Sequence, residues 1–165
     1  MALDTISTAR LEITKIYIAA FNRAPDAAGL SNWMNQYTSG TMTYAQISQD
    51  FSNQTEYTTK YPSAMTNSEY ITKIYTNVFG RSPDAGGLQN WVNQLDASAI
   101  TGATRGNIMK TMLDAAGATG NTDGLRLTNQ ATFAVQAVVI DGVSDVTATA
   151  QLANITSDAA TVTTA

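Results

Sequence analysis

The sequence predicts an all-α protein: two tandem three-helix pseudo-repeats plus a C-terminal helical segment, packed into one compact unit. Three observations carry that reading. Residues 13–36, ITKIYIAAFNRAPDAAGLSNWMNQ, return as residues 71–94, ITKIYTNVFGRSPDAGGLQNWVNQ, at a constant offset of 58 with no gap, and 16 of the 24 paired positions are identical. Such identity marks an internal duplication. Apolar residues in both copies recur at three- and four-residue spacing, the period of a helix with one buried stripe. Proline, glycine and capping side chains fall between the stripes, where helices must stop and restart.

Ser7 is the candidate N-cap of the first helix, which runs from Thr8. Ile13, Ile16, Tyr17, Ala20 and Phe21 form its stripe, and Asn22-Arg23-Ala24-Pro25 ends it, because the residue before a proline is biased away from α geometry. Asp26 is placed to cap the second helix, whose stripe is Leu30, Trp33, Met34 and Tyr37, with Gly40 as its stop. Thr43 and Gln46 read as a capping box opening a third helix with Ile47 and Phe51. The first repeat therefore occupies residues 1–62, and Asn53–Pro62 reads as a polar, Tyr-rich link.

Thr66 and Glu69 form a second capping box, and the pattern restarts over residues 63–117. Ile71, Ile74, Tyr75, Val78 and Phe79 form one stripe; Leu88, Trp91, Val92 and Leu95 form the next. Gln36 to Ile47 spans 11 residues but Gln94 to Ile108 spans 14, so the second copy carries an insertion of three. Its third helix, capped near Thr104, presents Ile108, Met109, Met112 and Leu113, and Gly106 weakens its first turn. Residues 117–121 read as a loop. In the C-terminal segment, 118–165, Leu127, Ala131, Ala134, Val135 and Val138 lie at helical spacing, although the run from Phe133 to Ile140 equally suits a buried strand. Asp141-Gly142 ends it, Ser144 can cap a short helix over 145–153, and a last helix starts at Thr156-Ser157-Asp158. The expected total is about eight helices. The abrupt close in TVTTA suggests a piece of something longer.

Composition narrows the function. Only 13% of residues are charged while Ala and Thr supply 25 each, so the surface is polar through hydroxyls and amides and suits copies of itself or glycans. A net charge of −4 leaves no basic stripe to replace phosphate counterions, which excludes nucleic acid as the expected partner. With no Cys and no His there are no disulfides, thiolate metal sites or His-based acid–base chemistry. MALDTISTAR has neither the charged nor the apolar region of a secretory signal, and no apolar run reaches the ~18 residues of a membrane span. Cytosolic residence and export through a C-terminal signal both remain open on these features. No acid dyad, phosphate loop or nucleophile elbow is present, so an enzyme is not expected.

Arg-x-Pro-Asp-x-x-Gly-Leu-x-x-Trp occurs at 23–33 and 81–91. It reads as a helix–turn–helix corner built by Arg23, Asp26, Gly29 and Trp33 and again by Arg81, Asp84, Gly87 and Trp91. The arginines can cap carbonyls of the preceding helix or pair with the Asp. A calcium role for the two Asp is the weaker reading, since such loops need several alternating oxygen ligands. Both Trp, with Tyr17 and Tyr75, are expected in the core rather than on a sugar-stacking platform, because they sit on the apolar stripes. Tyr57, Tyr61 and Tyr70, in or beside the link, are the candidates for glycan stacking. Lys15 and Lys73, in the two identical ITKIY pentapeptides, are candidate contacts for phosphate or carboxylate on a surface polysaccharide, or else a solvated face.

The duplicated motif resembles a helical domain-of-unknown-function family found at the N termini of bacterial S-layer and RTX-type surface proteins. Thr55-Glu56-Tyr57 and Ser68-Glu69-Tyr70 loosely match that family's closing element, and LTNQATFAVQAVV with ITSDAATV resembles the segment that follows the duplication. The resemblance implies type I secretion without an N-terminal signal and a place at the cell surface or S-layer of a Gram-negative bacterium. It implies an N-terminal module anchoring the protein to lipopolysaccharide or another cell-surface glycan, with copies of itself as lattice partners. Calcium would act mainly through regions outside this chain, which contains no Gly- and Asp-rich nonapeptide repeats. The rival expectations are a protein–protein assembly module that binds no glycan and an accessory domain of an exported enzyme.

Overall fold

A computed structural model describes residues 3–101, 104–119 and 121–164. All regular elements among them are helical: α1 (Leu3–Phe21), α2 (Ala27–Thr38), α3 (Tyr44–Phe51), α4 (Thr55–Lys60), α5 (Asn67–Ile74), α6 (Ala85–Thr101), α7 (Arg105–Thr119), α8 (Thr122–Val135), α9 (Asp145–Leu152) and α10 (Ala160–Thr164). α5 and α8 each continue into one widened π turn, Tyr75–Phe79 and Gln136–Ile140. The strand alternative for 133–140 is thereby removed.

Local chemistry explains most boundaries. Asp26 and Asp84 accept the backbone N–H of Gly29 and Gly87 at 2.7 and 2.8 Å, the N-cap bond that the corner motif requires. Thr43–Gln46 and Thr66–Glu69 both form complete capping boxes. The N–H of Asn107 donates to the Thr104 hydroxyl at 3.4 Å, and the N–H of Thr147 donates to that of Ser144 at 3.2 Å. The equivalent residues Asn22 and Gly80 leave the first helix of each copy in the left-handed conformation, at φ 50° and 70°. Asn tolerates that geometry and Gly adopts it without strain, so the substitution between copies preserves the turn.

Four expectations need correcting. Ser7 is not an N-cap; α1 already includes Leu3. The link 53–62 is not merely polar chain, because Thr55–Lys60 is helical. That helix escapes sequence reading because it is short and Gln54 makes no side-chain capping bond. Residues 117–119 belong to α7, not to a loop, while Gly120 lies outside the described residues, as do 102–103 within the insertion. Finally, ten helices occur among the described residues, where about eight were expected.

α1 is the central helix, buried nearly all round over Ile13–Phe21 and packed against α2, α3, α4, α7 and α8. The predicted stripes face inward: Ile13, Ile16, Ala20, Ile47, Phe51, Ile71, Ile74, Val78, Met109, Met112 and Leu127 are all essentially inaccessible. The third helices of the two copies, α3 and α7, cross closely. Gly106 allows this, since a Cβ there would lie 2.6 Å from the Ser48 carbonyl oxygen, and the Ser48 hydroxyl donates to the Gly106 carbonyl at 2.7 Å. The helical propensity lost at Gly106 is thus tied to a packing requirement. Buried side chains from both repeats and the C-terminal segment form a single core.

α8, its π turn and α9 repeat the corner in reduced form. Gly142 is left-handed at φ 69° and Ser144 replaces the capping Asp. This third corner docks on the first: the N–H of Ala24 donates to the Thr149 hydroxyl at 2.9 Å, and Arg23 approaches Asp145 at 3.8 Å.

Candidate functional site: twin aromatic clefts

Each corner motif builds a small cleft where the second helix turns back over the first. Tyr17, Phe21, Arg23 and Trp33 line the first, of about 260 Å³, and their counterparts Tyr75, Phe79, Arg81 and Trp91 line the second, of about 210 Å³. The third helix supplies Phe51 to one and Met112 to the other. The next helix completes each: Gln54 and Glu56 at the start of α4, Asn121 and Asp123 at the start of α8. α4 and the start of α8 therefore take equivalent places, each following the third helix of a copy and supplying the cleft's acid.

The arginine links these parts. Arg23 donates from Nε and Nη2 to the two Glu56 oxygens at 2.8 and 3.1 Å, and from Nη1 to the Ala24 carbonyl at 3.0 Å. Arg81 repeats the pattern, from Nε and Nη2 to Asp123 at 2.8 and 2.5 Å and from Nη1 to the Ser82 carbonyl at 3.1 Å. Both pairs are two-pronged, the stronger and more directional form of this contact. The pairing raises the pKa of each arginine, with the hydrogen bond to its carboxylate as the leading cause. The guanidinium carbons also lie over aromatic rings, Arg23 at 5.5 Å from Tyr17 and from Phe21 and Arg81 at 5.0 Å from Tyr75.

The motif glycines have a steric cause here. A Cβ at Gly29 would lie 2.6 Å from the Tyr17 hydroxyl, and one at Gly87 would lie 3.3 Å from that of Tyr75. Glycine lets the tyrosine oxygen reach the helix surface beside the capping Asp. In the second cleft Trp91 Nε1 donates to the Tyr75 hydroxyl at 3.3 Å. Burial, followed by the charge of Asp26, pushes the Tyr17 pKa up. Each cleft thus combines aromatic walls, a tyrosine hydroxyl and an arginine–carboxylate pair that offers donors and acceptors together.

The expected binding residues are placed elsewhere. Tyr57, Tyr61 and Tyr70 are buried where the repeats meet, so they form no open stacking platform. Their hydroxyls are used internally: Tyr57 and Tyr70 share a 2.8 Å bond, Tyr70 also donates to the Arg105 carbonyl at 2.8 Å, and Tyr61 donates to the Ala19 carbonyl at 3.0 Å. Burial pushes the Tyr61 pKa up to about 12 and raises Tyr57 and Tyr70 as well. Lys15 bonds Glu12 at 2.8 Å, and Lys73 donates to the Lys60 carbonyl at 2.8 Å. Neither lysine is an uncommitted solvated cation. Trp33 and Trp91 pack on the core but remain partly exposed, so they are cleft walls rather than fully buried core. Glu56 and Asp123 went unrecognised in the sequence. They lie 67 residues apart, outside the 58-residue register, and the signal they share is a place two residues after an N-cap position, Gln54 and Asn121 respectively.

Residues 11–61 and 48–121 each match one family, described as Domain of unknown function (DUF4214). The chain belongs to that family. The two DUF4214 matches overlap across the end of α3 and all of α4, the helix that completes the first cleft before the second copy begins. No curated protein and no solved structure matches the chain. Among the described residues no cluster of three or more metal-ligating side chains occurs, and no helix is long and apolar enough to cross a membrane.

Proposed function

We propose that this chain is the anchoring module of a bacterial S-layer or related surface protein and holds lipopolysaccharide or another cell-surface glycan in its twin clefts. The single observation behind this reading is the duplication of the cleft itself. Two sites of equivalent walls suit a ligand that repeats, as a polysaccharide does, and two weak sites on one polymer bind far more tightly than either alone. Each cleft has the volume of about one sugar ring, and its partly exposed indole, Trp33 or Trp91, offers a face for the apolar side of the ring, the Tyr and Phe rings lying buried behind it. A guanidinium already matched by a carboxylate favours a neutral polyol over an ion, because hydroxyl groups can both donate to and accept from the pair. The resemblance of the motif to surface-protein families supports the cellular context, and calcium would enter through other regions of such a protein.

The test is cosedimentation of the intact chain with cells stripped of their surface layer, from strains with full-length and truncated lipopolysaccharide. Retention on the full-length form alone, reduced at least tenfold by Arg23→Met combined with Arg81→Met, is the expected result. Equal retention on both strains contradicts glycan anchoring.

A second reading is lateral assembly without glycan. It is favoured by the exposed apolar side chains Leu125, Ile140 and Val146, all in the C-terminal segment. Concentration-dependent self-association abolished by Ile140→Ser and Val146→Ser, with no binding to cells, is the result that selects it.

A further inference from the structure

A third cavity, of about 410 Å³, opens between α1, α2 and the π turn 136–140, and it shares no lining residue with the twin clefts. Its volume falls in the range of small-molecule sites, roughly 300–1,000 Å³. Leu30 and Met34 of α2 form the floor, with Ile6 of α1 and Val139 of the π turn as apolar walls. Ser31, Asn35 and Thr38, one helical face of α2, give the same cavity a polar side.

Arg10 stands at this cavity with no hydrogen-bond or ion-pair partner among the described residues. Arg23 and Arg81 grip carboxylates and Arg105 donates to the Pro62 and Met65 carbonyls, whereas Arg10 makes no hydrogen bond or ion pair with the described residues. An unmatched guanidinium beside an apolar floor is complementary to one negative charge carried on an apolar body. Charge-assisted bonds from arginine are about twice as strong as neutral ones, and its planar fork matches a carboxylate.

We propose that this cavity binds a small organic monocarboxylate, with its chain on Leu30, Met34, Ile6 and Val139 and its carboxylate on Arg10. The site does not depend on the glycan reading, since the two sets of residues are separate. The one cation among its lining residues selects a monoanion, and the limited volume selects a short chain over an extended polymer.

Octanoate, kept below its micelle concentration, is the probe, with octanol and acetate as controls for chain and charge. Amide NMR of the full chain should show saturable shifts at Ala27, Ser31, Asn35, Thr38 and Val139 with octanoate. Octanol should bind at least about tenfold more weakly, the ratio expected when one charged hydrogen bond of roughly 1.4 kcal/mol is lost. Acetate, which keeps the charge and lacks the apolar chain, should bind more weakly by at least the same factor. Arg10→Gln should reduce octanoate to the affinity of octanol. Ser31→Leu, which fills the cavity and leaves Arg10 in place, should block octanoate as well. Equal octanoate affinity in Arg10→Gln, saturable shifts confined to another surface, undiminished binding in Ser31→Leu, or no saturable binding at all overturns the proposal.

Discussion

The two clefts are made from nearly the same residues, yet they distribute burial in opposite ways. In the first, the Arg23 side chain is 26% exposed and its partner Glu56 is 42% exposed. In the second, Arg81 is 44% exposed while Asp123 is only 9% exposed. The first guanidinium is also approached by Asp26 at 3.9 Å and Asp145 at 3.8 Å, through the docking of the C-terminal segment. The corner motif fixes the arginine and the aromatic walls in both copies. What differs is the acid, which comes from whatever helix follows and whose burial depends on how that helix is packed. α8 crosses the core along its length, whereas α4 is a six-residue surface helix.

The largest expected difference follows from that burial. Arg81→Met strands a nearly buried carboxylate and should cost about 2–3 kcal/mol, while Arg23→Met leaves an exposed one and should cost about 1 kcal/mol. Urea unfolding of both variants measures this, and equal losses would break the comparison. Next come Trp33→Ala and Trp91→Ala. Partly exposed rings should cost about 2 kcal/mol each, below the ~3–5 kcal/mol typical of a fully buried aromatic, because part of each ring already meets water.

The motif glycines sharpen the contrast. Gly29→Ala pushes a methyl group into the Tyr17 hydroxyl and Asp26 carboxylate and should destabilise by ~1–2 kcal/mol despite the better helix propensity of Ala. Gly87→Ala meets its neighbours at 3.3 Å and should be within ~0.5 kcal/mol of neutral. The smallest effect concerns acid. Asp84 is held below its ordinary value mainly by the Gly87 N–H, and Glu69 mainly by the Thr66 N–H. A lowered folded-state pKa means that the unfolded chain takes up the proton first as pH falls. The stability these caps contribute is therefore complete above the ordinary carboxylate range and is lost as pH falls through it toward the lowered values. Protection factors for hydrogen exchange at the first turns of α5 and α6, normalised to the intrinsic rate at each pH, should fall over that interval.

Much of the fold is legible in the sequence because the duplication exposes the helical period twice and the caps are made by local side chains. Asp26, Thr43, Thr66, Asp84 and Ser144 act within three residues of themselves, so their neighbours in sequence suffice to identify them. α4 is invisible for the converse reason: it lacks a side-chain cap, and its burial of Tyr57 is a tertiary fact. The same limit explains why Tyr57, Tyr61 and Tyr70 read as surface residues. Their polar surroundings in sequence say nothing of the core that α1, α5 and α7 close over them. The site was half-legible. Arg23, Trp33, Arg81 and Trp91 stand out in the motif, but Glu56 and Asp123 do not, since longer spacing in the second copy shifts the acid out of the repeat's register.

Calorimetric titration of the intact chain with an oligosaccharide released from the cell-surface polysaccharide tests the central claim most directly. Two equivalent clefts predict two ligands per chain, one after either Trp33→Ala or Trp91→Ala in variants that retain native circular dichroism, and none after both. A single binding event unchanged by either substitution would contradict the account.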